Sequence, residues 1–442
     1  MKTSAIVFLA TCGVIACGTS DQPPAATPAT LELGNWFSTN EDLSALQKVI
    51  DAYTVHHPNV SVVLKPLSTS GKTRASQLNP SDPASIGSWD VGLQTLVWMS
   101  STGGLNLDDR SELVPLKHTI SPLLTSTMIQ NDHWIGVPLD VFHLNSAFFG
   151  VAALEKLGFN SGLPGSLADY RQLCKAYADG GGNEAGLPYP LAVPLSPNAN
   201  ENTAVFTAIL FDLLDSNVAL ATSTDPASDM HPALELLQYY SEHGCLTQVP
   251  DSNGNNVATD DVLDSLIGGS AAVVLGFEWY AGYLSARGKA PGKDIILGKP
   301  LTTSAALLNG DYLVLNSETK QPALAAQFAA QALAPETQLT FAAAHGVLPA
   351  LQFEHPETEL SDPSLRTNYL ALVDDYAAGR ALPPPAWVSF AKGTSIQAFV
   401  DSQGTATDAT VDDVVKSILC TAPAYPAFAN PDGSPKEACP NP

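Results

Sequence analysis

The motifs in this sequence that suggest catalysis or ion binding are all incomplete. Residues 70–73 (SGKT) match the end of a phosphate-binding loop, but Pro66 stands where its first glycine is required. Residues 251–255 (DSNGN) begin like a calcium loop, yet Asn256 and Val262 occupy the positions that need Gly and Glu. The sequence also has no G-x-S-x-G elbow and no H-E-x-x-H helix. It therefore predicts no metal site, no cofactor and no enzymatic activity.

The cysteines near the N-terminus suggest lipid attachment. An apolar stretch, residues 5–16, follows Met1-Lys2 and ends in Val-Ile-Ala before Cys17. This order matches the bacterial lipobox, in which the Cys becomes the lipidated N-terminus. We therefore predict a signal peptide at 1–16, lipidation of Cys17 and a flexible tether at 17–30, which is rich in Pro, Ala, Ser and Thr. The alternative is a simple secretory signal with an incidental Cys.

The other cysteines predict disulfides in an exported chain. Of the six cysteines, Cys12 leaves with the signal peptide and Cys17 carries the lipid. An even remainder in an exported chain is typical of disulfides, and four cysteines allow three pairings. We predict Cys174–Cys245 and Cys420–Cys439, because in this pairing each disulfide encloses a single region of the chain.

Composition excludes two classes of function. The chain has 442 residues, enough for two domains, and Asp+Glu outnumber Lys+Arg by 44 to 20, which gives a net charge of −24. A surface this acidic repels phosphate backbones and anionic lipids, so we expect neither nucleic-acid binding nor membrane binding through basic charge. No apolar run reaches the length of about 18 residues that a spanning helix needs. Any membrane contact is therefore expected through the lipid alone.

Strand and helix patterns alternate along the chain from Leu31. The predicted strands are 31–37, 60–64, 90–97, 271–275 and 311–316, and the predicted helices are 41–55, 166–179, 204–214, 231–243, 260–267, 322–333 and 335–344. Such alternation is typical of α/β proteins with mostly parallel sheets covered by helices, and this length predicts two sheets. Ligands of such folds bind at the carboxyl ends of strands, and in a two-lobed protein the cleft is the natural site.

Several segments together resemble the substrate-binding lipoproteins of carbohydrate ABC importers, the family-1 extracellular solute-binding proteins. The segments are LELGNWFSTNEDLSALQKVIDAYTVHHPNVSVVL, WIGVPLDVFHLNSAFFGVAALEKLG, GGSAAVVLGFEWYAGYL and the stretch from GDYLVLNSE to HGVLPA. The resemblance covers most of residues 31–400. The aromatic pair after strand one and GVPLDVFHLN are nearest to the glucose- and mannose-binding branch, from which the chain departs at Phe142-His143, where that branch has His-Arg.

This resemblance implies a two-lobed periplasmic-binding-protein fold with a hinged interlobe cleft. It places residues 31–139 and 302–345 in lobe 1 and residues 140–301 and 346–442 in lobe 2. It also implies a monomer that binds a sugar between the lobes and delivers it to the permease subunits of an ABC importer. Exported hydrolases or lyases, and receptors for a peptide, a polyamine or a phosphate ester, are the alternatives.

Sugar binding needs aromatic planes for the C–H faces of the ring and polar groups for its hydroxyls. The aromatic candidates are Trp36 and Phe37, each of which is equally explained as a core residue, together with Trp98, Trp279 and the weaker Trp387. The polar candidates that the resemblance suggests are Glu41, Gln94, Asp311 and His345. Two of these have a structural alternative, because Glu41 completes a capping box with Ser38 and His345 stands at a helix end.

Overall fold

The fold is seen in a computed structural model that describes residues 28–37, 39–68, 77–78, 89–96, 104–130, 132–160, 162–193, 226–248, 259–289, 291–302 and 306–382. The predictions for Cys17, the predicted helix 204–214, the motifs at 70–73 and 251–255, Trp98, Trp387, Cys420 and Cys439 lie outside these residues.

The described chain alternates strands and helices. The strands are β1 (Ala29–Asn35), β2 (Val60–Pro66), β3 (Val91–Thr95), β4 (Ile129–Gln130), β5 (His133–Trp134), β6 (Gly136–Pro138), β7 (Phe142–His143), β8 (Ser146–Gly150), β9 (Leu191–Val193), β10 (Leu246–Gln248), β11 (Val273–Gly276), β12 (Ile295–Gly298), β13 (Ala306–Asn309), β14 (Asp311–Leu315) and β15 (Ala381–Leu382). The helices are α1 (Asn40–His56), α2 (Pro122–Thr125), α3 (Val151–Lys156), α4 (Leu167–Asp179), α5 (Pro226–Glu242), α6 (Thr259–Ile267), α7 (Tyr280–Ala286), α8 (Pro322–Ala332), α9 (Pro335–His345), α10 (Pro356–Glu359) and α11 (Pro363–Ala377). Short 3₁₀ turns occur at Val114–Thr119, Ser126–Met128 and Gly182–Ala185.

The first sheet has the strand order β2-β1-β3-β14-β6. β1, β2 and β3 are parallel, whereas β14 runs antiparallel to both β3 and β6, so one strand opposes the other four. Leu33 and Leu93 are fully buried, as expected for a sheet covered on both faces. We call this sheet, with the helices α1, α8 and α9 that pack on it and on one another, the first unit.

The second sheet repeats this arrangement with the order β10-β9-β11-β8-β12. β9, β10 and β11 are parallel, and β8 runs antiparallel to both β11 and β12. We call this sheet, with the helices α3 to α7 that connect its strands, the second unit. The α/β class with two mostly parallel sheets is confirmed.

Two chain segments pass between the sheets. One connects β6 to β8 and contains β7; the other connects β12 to β14 and contains β13. β7 and β13 pair antiparallel, with Leu308 opposite His143 and Asn309 opposite Phe142. The two crossings therefore lie side by side, at the place where a hinge between the units is expected.

Side-chain caps begin two of the predicted helices. Ser166 caps α4, as predicted, by accepting a hydrogen bond from the backbone N–H of Asp169. In α1 the capping box predicted at Ser38 and Glu41 was placed one residue too early. Thr39 is the N-cap, and its hydroxyl accepts from the N–H of Asp42 at 3.1 Å.

The second unit contains the predicted Cys174–Cys245 disulfide. It joins α4 to the turn after α5, with 5.4 Å between the two Cα atoms. In the described part of the chain, no helix combines the length and apolarity required to cross a bilayer.

Candidate functional site

The C-terminal residue of α9, His345, lies between two carboxylates at the junction of the units. Its Nε2 is 3.2 Å from Asp42 in the first turn of α1, and its Nδ1 is 3.3 Å from Asp140 beside the first crossing. All three side chains are buried. Burial disfavours the charged imidazolium, but the hydrogen bonds and the negative charges of Asp140 and Asp42 outweigh it and raise the pKa of His345 to about 10. The imidazolium is therefore the form present at neutral pH.

Asp140 and Asp311 connect this pair to the second crossing. The backbone N–H of Asp311, the first residue of β14, donates to Asp140 Oδ1 at 2.7 Å. Burial raises the pKa of Asp140, while its hydrogen bond with His345 acts in the opposite direction. One ligand atom from each of Asp140, Asp311 and His345 lies within 4.8 Å of the others, a spacing compatible with a metal ion. Both ring nitrogens of His345, however, already face carboxylates, so the ion pair accounts for this cluster.

Aromatic rings from both units surround His345. The ring centroid of Phe37 lies 5.2 Å from that of His345 and 5.0 Å from that of Trp36. Trp279, between β11 and α7, approaches from the second unit with its centroid 6.2 Å away and its plane tilted by 12°. The structure therefore brings five predicted residues together: Trp36, Phe37, Trp279, Asp311 and His345. Phe37 is 5% exposed and is also a core residue.

Glu41 lies at the same junction, where it pairs with the second unit. Its carboxylate is 3.6 Å from Arg287, which follows α7. The guanidinium of Arg287 also lies 3.4 Å from the ring centroid of Tyr283. A predicted sugar acceptor is thus engaged in an ion pair across the junction.

Gln94 is built into the first sheet. It is fully buried on β3 opposite Tyr312, and its side-chain oxygen accepts from the N–H of Thr95 at 2.9 Å. The amide belongs to the sheet interior rather than to the group of rings around His345.

Sequence reasoning missed four charged residues and one histidine partner at the junction: Asp42, Asp140, Glu278, Arg287 and His143. Asp140 and His143 stand in GVPLDVFHLN, and Glu278 directly precedes Trp279. The sequence could have indicated Asp140 and Glu278, because each is a carboxylate close to a predicted crossing or to a predicted aromatic site residue. It does not reveal which distant residues pair.

A cavity of about 490 Å³ lies between the two units. The second unit contributes Glu278 and residues of α7 and β12, and the first unit contributes the end of α9. α11 closes a further side. Of the predicted site residues that the structure describes, none lines this cavity. Two lining residues, Glu278 and Gly346, are the chain neighbours of Trp279 and His345.

Comparison with known proteins agrees with this architecture. The chain resembles the GacH receptor of Streptomyces glaucescens, solved unliganded and with acarbose, at 13% identity and a TM-score of 0.66, over 88% of this chain and 98% of that one. It also resembles maltose-bound T. maritima MalE3, at 16% identity and a TM-score of 0.64 over 88% and 99%. The sugar-binding protein MalE of Xanthomonas citri matches at 18% identity and 0.59 over 88% and 96%. These likenesses show the two-lobed periplasmic-binding-protein fold. No curated protein sequence matches the chain.

The family follows from the sequence match. A family model described as bacterial extracellular solute-binding protein matches residues 48–361. This range covers most of the chain, from the middle of α1 to the residues just before α11, and contains every strand of both sheets except β1. The chain therefore belongs to the family of bacterial extracellular solute-binding proteins.

Proposed function

We propose that this protein is an exported, lipid-anchored receptor that captures a sugar between its two units and delivers it to an ABC importer. The observation that carries the proposal is the junction itself. There Trp36 and Phe37 from the first unit and Trp279 from the second surround a buried group of carboxylates and His345. No chemical conversion of the sugar is part of this proposal.

Sugar suits this junction for a physical reason. Pyranose rings present C–H faces that pack on aromatic planes, and their hydroxyls need charged or polar partners at fixed positions. Two of the similar structures were solved with acarbose and with maltose, and a third is called a sugar-binding protein. These relatives support sugar as the solute class, with the glucose- and mannose-binding branch as the first to test.

Capture proceeds by closure in this proposal. Lobe 1 comprises residues 31–139 and 302–345, lobe 2 comprises 140–301 and 346–442, and the paired crossings β7 and β13 act as the hinge. A solute that contacts both lobes favours the closed form, because only that form makes both sets of contacts. Lipid on Cys17 holds the receptor near the permease subunits that receive the sugar.

We expect a saturable change in tryptophan fluorescence when the full chain is titrated with glucose, mannose, galactose, maltose and raffinose. Trp279→Ala removes a ring at the junction and should weaken binding of the tightest sugar by about 10- to 100-fold. Trp279→Phe is the matched control, because it keeps an aromatic plane and should retain most of the affinity.

The sugar must also be recovered unchanged after incubation, since turnover would identify a hydrolase or lyase instead. A response to spermidine or to a peptide library, with none to any sugar, would sink the proposal in favour of a receptor for another solute.

A further inference from the structure

Glu278 is a buried carboxylate fixed against the first crossing. It lies between β11 and α7 and is 3% exposed. Its Oε2 accepts from the backbone N–H of His143 at 2.9 Å and is 2.8 Å from His143 Nδ1. The N–H of Glu278 in turn donates to the carbonyl of His143 at 3.0 Å. These three contacts determine where the carboxylate points.

The second carboxylate oxygen is available to a ligand. Both side-chain contacts of Glu278 use Oε2, and among the described residues no hydrogen bond reaches Oε1. Oε1 is also not one of the fully enclosed polar atoms that lack a partner. Glu278 lines the 490 Å³ cavity, and Oε1 is the carboxylate oxygen that carries no hydrogen bond among the described residues.

The described residues that form the rest of the cavity lining are acidic, neutral polar or apolar, and none is positively charged. Asp362 is a second carboxylate; its Oδ1 caps α11 by accepting from the N–H groups of Ser364 and Leu365 at 2.7 and 3.2 Å. Ser285, Thr367 and Asn368 add hydroxyl and amide groups. Among the described residues that line the cavity there is no Lys, Arg or His.

The position and size of the cavity suit a captured solute. Its walls come from both units, so a molecule bound there contacts both. Its volume falls within the range of about 300–1,000 Å³ that is typical of small-molecule sites. The rings around His345 lie next to it along the chain, through Trp279 and Gly346.

We propose that the sugar captured at the rings of the junction extends into this cavity, that Glu278 Oε1 accepts one of its hydroxyls, and that the site selects neutral or cationic sugars against anionic ones. This inference rests on the proposed function. A hydroxyl satisfies the carboxylate with a charge-assisted hydrogen bond. A sugar acid or sugar phosphate would place a second negative charge beside Glu278 and Asp362 with no cation in the lining to offset it.

The test compares one sugar in three charge states. For the tightest neutral monosaccharide of the panel, the dissociation constant is measured by calorimetry together with those of its uronic acid and its amino sugar. The full chain should bind the neutral and amino sugars and reject the uronic acid by at least about 10-fold, which corresponds to 1.4 kcal/mol.

Glu278→Gln should weaken binding of the neutral sugar by about 10-fold or more. It should also reduce the discrimination against the uronic acid, because the side chain loses its charge but keeps its shape. Glu278→Asp should also bind the neutral sugar less tightly, because the shorter side chain moves the carboxylate. It should keep the discrimination against the uronic acid, because the charge remains. A purely structural role for Glu278 would not separate these two variants. Glu155→Gln, on the exposed face of α3, is the control and should leave both ratios unchanged.

A second variant tests the cavity without touching Glu278. Ala343 lines the cavity from an exposed position on α9, so Ala343→Leu fills it at little expected cost to folding. Binding should weaken by about 10-fold or more. If Glu278→Gln and Ala343→Leu both bind the sugar like the unchanged chain, the inference is wrong while the proposed function stands. If the unchanged chain binds no sugar, the proposed function itself fails.

Discussion

At the scale of single residues, the junction depends on how its buried charges are compensated. His345 is fully enclosed, and an unpaired imidazolium there would be too costly to persist. Asp42 and Asp140 approach its two ring nitrogens from opposite sides, so each lowers the cost of the charge. Removing either partner is expected to destabilise the junction more than its single hydrogen bond suggests, because a charge would be left buried.

The raised pKa of His345 predicts a loss of stability in alkaline solution. Its value in the unfolded chain is about 6.5, and in the folded chain it is about 10. The stabilisation is therefore complete below pH 6.5 and is lost as the pH rises towards 10, since the unfolded chain has already released the proton that the folded chain keeps. The free energy of unfolding should fall by up to about 1.4 kcal/mol per pH unit across this window.

Urea unfolding at pH 6.5, 8 and 9.5 measures this slope. His345→Gln should remove most of it, whereas His56→Gln, at the exposed end of α1, should not. An equal slope in the unchanged chain and in His345→Gln would contradict the assignment of the charge to His345.

At the scale of elements, the two units approach each other closely at two glycines. Gly282 in α7 meets the C-terminal end of α9, and a Cβ at 282 would lie 2.4 Å from the carbonyl oxygen of His345. Gly346, with φ of +79°, caps α9, and a Cβ there would lie 2.0 Å from the backbone nitrogen of Gly282. Only residues without a side chain permit this contact between the helices.

Gly282→Ala should therefore hold the units apart. The added methyl cannot be accommodated by a side-chain rotation, because its nearest neighbours are backbone atoms. We expect weaker sugar binding, by about 10-fold, and a larger radius of gyration by small-angle X-ray scattering with sugar present. In Gly298→Ala, the control within β12, the Cβ makes an ordinary contact of 3.4 Å with Phe149. Unchanged affinity in Gly282→Ala would show that this contact does not limit closure.

At the scale of the whole molecule, the two sheets share one plan. Each has three parallel strands, then one antiparallel strand, then an edge strand that restores the first direction. The antiparallel strands β14 and β8 each adjoin a crossing, so the chain enters or leaves each sheet beside the junction. The cavity and the ion pairs consequently lie beside the segments that join the two units.

The disulfide stabilises the second unit across a long stretch of chain. Cys174 and Cys245 are separated by 71 residues, and closing such a loop in the unfolded chain predicts about 4 kcal/mol of stabilisation. The double variant Cys174→Ala/Cys245→Ala should be less stable by this amount in urea unfolding. Adding a reductant to that variant then isolates any contribution from the predicted Cys420–Cys439 pair. A double variant as stable as the unchanged chain would contradict the prediction.

The local sequence predicted the type and order of the longer elements, because their signals are short-range, but it did not predict short ones such as β9, β12, α3 and α7, nor the helix α11. The strand-helix alternation, the Ser166 cap and the regional pairing of Cys174 with Cys245 all depend on residues close in sequence or on simple bracketing. The misplaced cap of α1 shows the limit of that reasoning, because Thr39 and Ser38 are equally suitable as N-caps by residue type.

Only the tertiary structure decided which of these residues form the site. His345 meets partners 205 and 303 positions away in sequence, and strand register determines that Gln94 lies in the sheet interior while Asp311 reaches the junction. No periodicity or spacing records such pairings, since they depend on how the two sheets pack. Glu278 became a candidate for the same reason: it lines a cavity that exists only between the folded units.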